Sequence, residues 1–477
     1  MSSRDPARGC ARDTALLAAV GVVLFVALKL NQWQSLGVHS ELAEFESRIA
    51  STLHGAFMQR HPGEPPFFAE HFSPVLLALV PVYALVPSPV LLLVLHALAA
   101  ALAVVPLHRL ALDLLRERAA ALAIGLAWLV SRTLNYGLMY DVHMEILYPA
   151  CFFAAFLAFE RGRWIALAAA LLVAASCKED AGLSIAGFGV YAVLRGARGR
   201  GALLAAAGLA WTALAVAVVI PAFRPRGAPA AYTFLGYWSG YGRTQGEILR
   251  GMLNPATQAR VLFAPGKLGQ MFDLFAAFLF LPFAEPAAAA CLVLPGWFIL
   301  YSSNNPIMNG PILYYGLLLL PFLFYATLLG IARIARRAAP AARARWVTGL
   351  ACAVLAVQLG NTRLVQQLSP GAFRGHARAA VARDLIGLIP RGAPVSAQIN
   401  LVSYLPVESD RRYLPEGLDR AAYALFDTLG YQWPLGPERN RALLAGLEAP
   451  AWEQIAARDG FVLLRRREPP PGLPTPR

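Results

Sequence analysis

The sequence predicts an all-α polytopic membrane bundle of about eleven crossings, with a small α/β domain outside the membrane at its C-terminal end. Three observations carry this expectation. The 477 residues are 57% apolar and only 15% charged, well below the roughly 25% charge of soluble domains. The apolar residues fall in blocks of roughly 15 to 24, enough for a helix to cross about 30 Å of hydrocarbon. Beyond residue 361 the blocks stop and a mixed composition with short β-like runs takes over. The same figures exclude a disordered chain, a disulfide scaffold and a collagen-like fibre.

Taken in order, the chain begins with Arg4, Arg8 and Arg12, then an apolar run from about Thr14 to Leu30. No small-residue cleavage site follows, so the run reads as a retained first helix with its N-terminus in the cytoplasm. A polar stretch over 31–72 forms the first outside loop. The proline-punctuated run SPVLLALVPVYALVP that follows is too short and broken to span, and is expected to lie at the interface. Further spans are expected near 89–112, 119–135, 145–159, 164–177, 181–195, 202–222, 268–284, 286–301, 312–334 and 346–361. The membrane domain is thus 1–361, the α/β domain 362–466, and 467–477 a disordered Pro-rich tail. Within the α/β domain, PVSAQI (394–399), RAAYALFD (420–427) and FVLLRR (461–466) read as strands and 376–388 as a helix.

Basic residues exceed acidic ones by 42 − 28 = 14. The excess crowds into brief loops, which is the pattern of positive-inside topology and not of nucleic-acid binding. Strict alternation places Arg116–Arg118, Arg161–Arg163, Arg195–Arg200 and Arg333–Arg345 in the cytoplasm and the C-terminal domain outside. The turn near Glu285 carries no basic residue. Four of the five cysteines lie in or beside apolar helices and no CxxC pair exists, so neither a zinc site nor a disulfide framework is supported.

This topology sorts polar residues to the outer side. HSELAEFESRIASTLHG carries Glu41 and Glu44 three apart, on one helix face. FFAEHFSP gives Glu70 and His71; NYGLMYDVHMEILYP gives Asp141, His143 and Glu145; SCKEDAG gives Lys178, Glu179 and Asp180. The loop AYTFLGYWSGYGRTQGEILRGMLNP holds Arg243 and Arg250, and SSNNPIMNGPILYY holds Tyr314 and Tyr315. Ionisable groups at helix ends are costly against lipid and are expected to face a protein-lined cavity. Each piece also has a plain structural reading: a wet helix face for Glu41 and Glu44, a solvated turn for Lys178–Asp180, an aromatic belt for the Tyr/Trp loop. Asp141 and His143 have metal-ligand chemistry, so a divalent metal is possible, but alternate residues diverge on a helix and would have to lie on an extended turn.

The succession HFSPVLLALVPVYAL, YDVHMEILYPACFFAAFLAF and CKEDAGLSIAGFGVY resembles the DUF2079 family of bacterial and archaeal membrane proteins. YTFLGYWSGYGRTQGEILRGMLNP, LFLPFAEP, NNPIMNGPILYYGLLLLPFLF and IPRGAPVSAQINLVSYLP are similar to its later blocks, so the likeness covers roughly 35–466. That family in turn resembles the GT-C glycosyltransferases. The resemblance implies a GT-C-like bundle in the plasma membrane and transfer of a sugar from a polyprenyl-phosphate donor on the extracytoplasmic side. The acceptor would be a cell-envelope glycan, lipid or protein. The class's early Asp-Leu-Gly motif corresponds best to Glu41-Leu42-Ala43, with a different acid and no glycine. His71 falls where the class has a phosphate-facing residue, Asp141 and His143 on the second acidic turn, and Lys178 where a lysine follows the fifth helix.

Such a transfer needs a carboxylate to take the acceptor's proton and cations to stabilise the leaving phosphate. Glu41 is the expected base, with Asp141 as the alternative. His71, His143, Lys178, Glu179, Arg243, Arg250 and Tyr314 are the expected substrate-binding residues. No cofactor is certain. The competing readings are a catalytically inactive GT-C-like binding or assembly protein, and a transporter whose vestibule these groups would line. No charged residue lies clearly at mid-span, which argues against the transporter.

Overall fold

In this computed structural model the described residues are 6–227, 234–310, 313–373, 376–447 and 451–468. The start of the aromatic loop (228–233) and the tail from 469 lie outside them. The chain forms two compact units. One comprises Met1–Val26, Phe68–Leu76 and Leu95–Val365; the other comprises Ala27–Phe67, Leu77–Val94 and Gln366–Arg477.

The first unit is helical. Helix Arg198–Phe223 is long and apolar enough to cross a membrane, as are Gly9–Gln34 and Pro89–Leu115, of which residues 9–26 and 95–115 belong to this unit; Trp164–Cys177, Ala181–Leu194 and Pro286–Tyr301 are shorter apolar helices. Several expected spans are interrupted. The 119–135 stretch is two helices, Arg118–Leu129 and Arg132–Met139, because Ser131 takes an extended ψ of 126°. The 268–284 stretch is the helix Pro265–Ala276 followed by a break, where Leu279 and Phe280 have φ of 53° and 54°. Pro282, which has no N–H to continue a helix, sits just beyond. Two π turns, Ala215–Val219 and Ala289–Val293, lie just ahead of Pro221 and Pro295. A proline ring crowds the carbonyl four residues back, and a wider turn relieves that clash.

One packing detail positions the chemistry. Helices Ala181–Leu194 and Arg198–Leu214 meet through glycines: a Cβ on Gly182 would lie 2.3 Å from the Gly208 oxygen, and one on Gly189 2.3 Å from the Ala205 nitrogen. Small residues let helix backbones approach this closely. The contact fixes the start of helix Ala181–Leu194, and with it the turn that precedes it.

The second unit contains a five-stranded sheet in the order β2-β1-β3-β5-β4. Its strands are β1 (Val395–Ala397), β2 (Arg411–Tyr413), β3 (Tyr423–Asp427), β4 (Trp452–Arg458) and β5 (Phe461–Arg466). β1 runs parallel to β2 and β3, and β5 is antiparallel to β3 and β4. One face packs Val395, Leu425 and Leu463 with Ala379, Leu385 and Ala43. The other packs Phe426, Trp452 and Leu464 with Leu443 and Leu444. Helix Ser40–Leu53 therefore contributes Ala43 to the same core as the sheet. Arg411 and Glu46 form a buried ion pair at 2.7 Å, with side chains 1% and 2% exposed. The Tyr83 hydroxyl donates to the other Glu46 oxygen at 2.7 Å.

Candidate functional site: an ion-pair cluster in the helical unit

Helix Trp164–Cys177 stops at Lys178, whose backbone is extended at φ −167° and ψ 158°. The next helix starts at Ala181, so Lys178, Glu179 and Asp180 fill a three-residue turn. Ser73 Oγ donates to the Cys177 carbonyl at 2.7 Å and Thr212 Oγ1 to the Glu179 carbonyl at 2.7 Å. Both ends of the turn are thereby tied to neighbouring elements.

Each of its three side chains has a separate partner. Lys178 Nζ donates to Glu145 Oε1 at 2.8 Å and lies 5.6 and 6.0 Å from the ring centres of Tyr314 and Tyr315. Glu179 Oε1 lies 2.7 Å from His71 Nδ1, and its Oε2 accepts from the Phe72 N–H at 3.1 Å. Asp180 Oδ1 accepts from the Tyr148 hydroxyl at 2.7 Å. His143 stacks on Tyr314 at 3.6 Å and 14°, with its Nδ1 3.6 Å from Glu145 Oε2. His71 stacks on Phe234 at 4.6 Å and 9°. His143 has extended φ and ψ of −140° and 144°, and a short 3₁₀ turn, Met144–Leu147, then presents Glu145. Asp141 is fully buried two residues upstream of His143.

The electrostatics of the turn are uneven. Burial works against the Lys178 ammonium, but Glu145 and the flanking tyrosine hold its pKa well above the ordinary lysine value. Burial also opposes ionised Glu179, yet His71 and Lys178 bring its carboxyl down to about 2. Asp180 goes the other way. Burial raises it, Lys178 only partly compensates, and Glu179 and Glu145 add to the rise, to about 6. Carboxylates outnumber the lysine at this turn, and Glu145 takes one of the three N–H donors of the Lys178 ammonium.

The structure thus gathers His71, His143, Lys178, Glu179 and Tyr314 in one cluster, with Asp141 adjacent in the chain. Arg243 and Arg250 are exposed instead. The Arg243 N–H donates to Glu247 Oε2 at 2.8 Å, beside the cap of helix Gln245–Leu253, and Arg250 Nε turns back to the Gly246 carbonyl at 3.2 Å. Glu41 belongs to the second unit, half-buried in the first turn of helix Ser40–Leu53. On the same helix Glu44 pairs with Arg48 at 3.3 Å and Arg60 at 3.5 Å. Among the described residues no group of three or more His, Cys, Asp and Glu is placed to hold a metal ion. Glu145, Asp180, Tyr148 and Tyr315 were not assigned roles from the sequence. The available signal was Lys178 itself: only three lysines stand among the 42 basic residues, and a retained ammonium at a helix end calls for a nearby carboxylate.

Comparison with known proteins bears on the fold. The chain matches the family described as predicted membrane protein (DUF2079) over residues 41–463. It is similar to the crystal structure of ArnT from Cupriavidus metallidurans bound to undecaprenyl phosphate. The TM-score is 0.51 with 14% identity, over 94% of this chain and 97% of that one. The apo structure of the same ArnT gives 0.48 and 15%, over 96% and 98%. No curated protein matches by sequence. At this identity the first likeness establishes the architecture: a GT-C-like helical fold with a small C-terminal sheet domain.

Proposed function

Because the chain belongs to the DUF2079 family of multi-pass membrane proteins, whose name carries no reaction, we propose its activity from its own residues: a glycosyltransferase that uses a polyprenyl-phosphate-linked sugar on the extracytoplasmic side. The observation that carries this reading is the Lys178 turn. A Lys178 side chain only 13% exposed, its ammonium beside Glu145 and two tyrosine rings and next to a His71–Glu179 pair, sits at the ends of apolar helices. A lipid phosphate needs a cation there, with its polyprenyl chain along apolar walls. The undecaprenyl phosphate bound to the ArnT that shares this fold supports the same ligand class.

In the proposed reaction the acceptor oxygen bonds to the sugar's anomeric carbon as the bond from that carbon to the phosphate oxygen breaks. Glu41 accepts the acceptor's proton, with Asp141 as the alternative base. The lipid phosphate leaves with the bonding electrons, and Lys178, with His71 and His143, stabilises its charge. Glu179 orients His71 through Nδ1, and Tyr314 shelves His143. Exposed Arg243 and Arg250 act at longer range on an anionic lipid.

Transfer assays on the purified protein in nanodiscs with labelled polyprenyl-phosphate sugars test the reading. Glu41→Gln should abolish transfer and leave donor binding nearly unchanged, whereas Lys178→Ala should weaken donor binding first. Full activity in both Glu41→Gln and Asp141→Asn would leave the reaction without a base and refute it.

A further inference from the structure

The second unit carries a group of polar side chains that the proposed reaction does not use. β1 is flanked by β2 on one side and β3 on the other, and is parallel to both. The chain therefore leaves β1 in one direction and later returns to its opposite side. In open α/β sheets ligands bind at the carboxyl ends of the strands where the order switches in this way. At that edge stand Gln398 and Asn400, just after β1, and the segment Asp427–Trp433, which begins on the last residue of β3.

Gln398, Asn400 and Gln432 are all more than nine-tenths buried, and their side-chain carbonyl oxygens have no hydrogen-bond partner. Swapping amide oxygen and nitrogen would not help. Gln398 Nε2 donates to the Trp433 carbonyl at 3.4 Å, Asn400 Nδ2 to Asp427 Oδ2 at 3.0 Å, and Gln432 Nε2 to the Thr428 carbonyl at 2.5 Å. Each of those partners only accepts, so each nitrogen is where it must be and each oxygen is left over. Buried acceptors in this state call for donors from outside the chain.

The chemistry of the donor can be narrowed. Asp427 is fully buried, but Arg378 Nη2 lies 2.7 Å from its Oδ1, and the N–H groups of Leu429 and Gly430 also donate to it. Its charge is compensated, so the edge attracts neutral donors more than cations. On either side of Gln432, Tyr431 and Trp433 are 54% and 48% exposed. Exposed aromatic rings beside hydroxyl-accepting amides suit a sugar ring, whose C–H face is apolar and whose rim is all hydroxyl.

We propose that the carboxyl edge of β1 and β3, with Gln398, Asn400, Gln432, Tyr431 and Trp433, is a carbohydrate-binding site for a neutral oligosaccharide. It goes beyond the transfer reaction and is measured without a donor lipid, so failure of one leaves the other standing.

The test is binding of the full-length protein in nanodiscs to an array of neutral hexose and N-acetylhexosamine oligosaccharides, followed by titration of the best binder. We expect saturable binding of at least one of them. Trp433→Ala should weaken it at least tenfold without shifting the thermal midpoint, because the ring is half in solvent. Gln432→Met should weaken it comparably, because it removes an acceptor at similar volume. Three results would overturn the proposal: no array member binds, binding survives both substitutions unchanged, or calcium ions bind at this edge and the sugars do not.

Discussion

Replacing Arg411 with methionine isolates the contact between helix Ser40–Leu53 and β2. Arg411 donates to Glu46 Oε2 at 2.7 Å, to the Ala43 and Leu405 carbonyls at 3.0 Å each, and to Ser47 Oγ at 3.1 Å. Methionine keeps the stem's packing but strands Glu46, only 2% exposed, with Tyr83 as its remaining donor. Leaving one partner of a buried pair uncompensated costs about 3–5 kcal/mol. Replacing both with apolar groups is often near neutral. Arg411→Met should therefore destabilise the second unit by that amount, and Arg411→Met with Glu46→Leu should recover most of it. The assay is hydrogen exchange at the β3 amides, Tyr423–Asp427. A loss of 3–5 kcal/mol speeds their exchange by roughly two to three and a half orders of magnitude if they open with the whole unit. A single variant that exchanges at the wild-type rate, or a double variant no better than the single, would refute this reasoning.

Asp180→Asn tests the turn's electrostatics: because the folded value near 6 lies above the ordinary 3.8, Asp180 favours folding fully below pH 3.8 and loses that contribution as pH rises through 6. The asparagine variant should thus gain stability relative to wild type by up to roughly 3 kcal/mol between pH 4 and pH 7, read as thermal midpoints; a pH-independent difference would contradict it. Gly189→Val should reduce the thermal midpoint and the yield of folded protein, because its Cβ would meet backbone atoms at 2.3 and 2.7 Å and overpacking costs about 1–3 kcal/mol or more. Gly199→Ala, with open space around its Cβ, should leave the midpoint unchanged or higher.

The architecture was legible because its cause is local and repeated. Blocks such as 164–177 and 181–195 announce helices by composition alone, and β3 and β5 read as strands because buried strands are continuous apolar runs. β2 was illegible: Arg411-Arg412-Tyr413 has no apolar pattern, and it is a strand because β1 offers it a parallel edge. β4 hid for a related reason, since its Glu453, Gln454 and Ile455 are all exposed. At the site, Lys178, Glu179 and His71 stood out as charges at helix ends. Their pairing did not, because the 33-residue separation of Lys178 from Glu145 and the 108-residue separation of His71 from Glu179 are products of helix packing. Arg243 and Arg250 were chosen by charge alone; both are exposed, with the Arg243 backbone N–H on Glu247 and Arg250 Nε on the Gly246 carbonyl.

The claim that the Lys178 turn receives a lipid phosphate is tested most directly by titrating undecaprenyl phosphate into the wild-type protein and a Lys178→Met variant in nanodiscs. Methionine keeps the length and apolar stem of the lysine and removes only its charge. A charge-assisted contact to phosphate in a poorly hydrated site predicts at least a tenfold loss of affinity, and a weaker dependence of the remaining binding on salt. Equal affinity and equal salt dependence in the two proteins would contradict it.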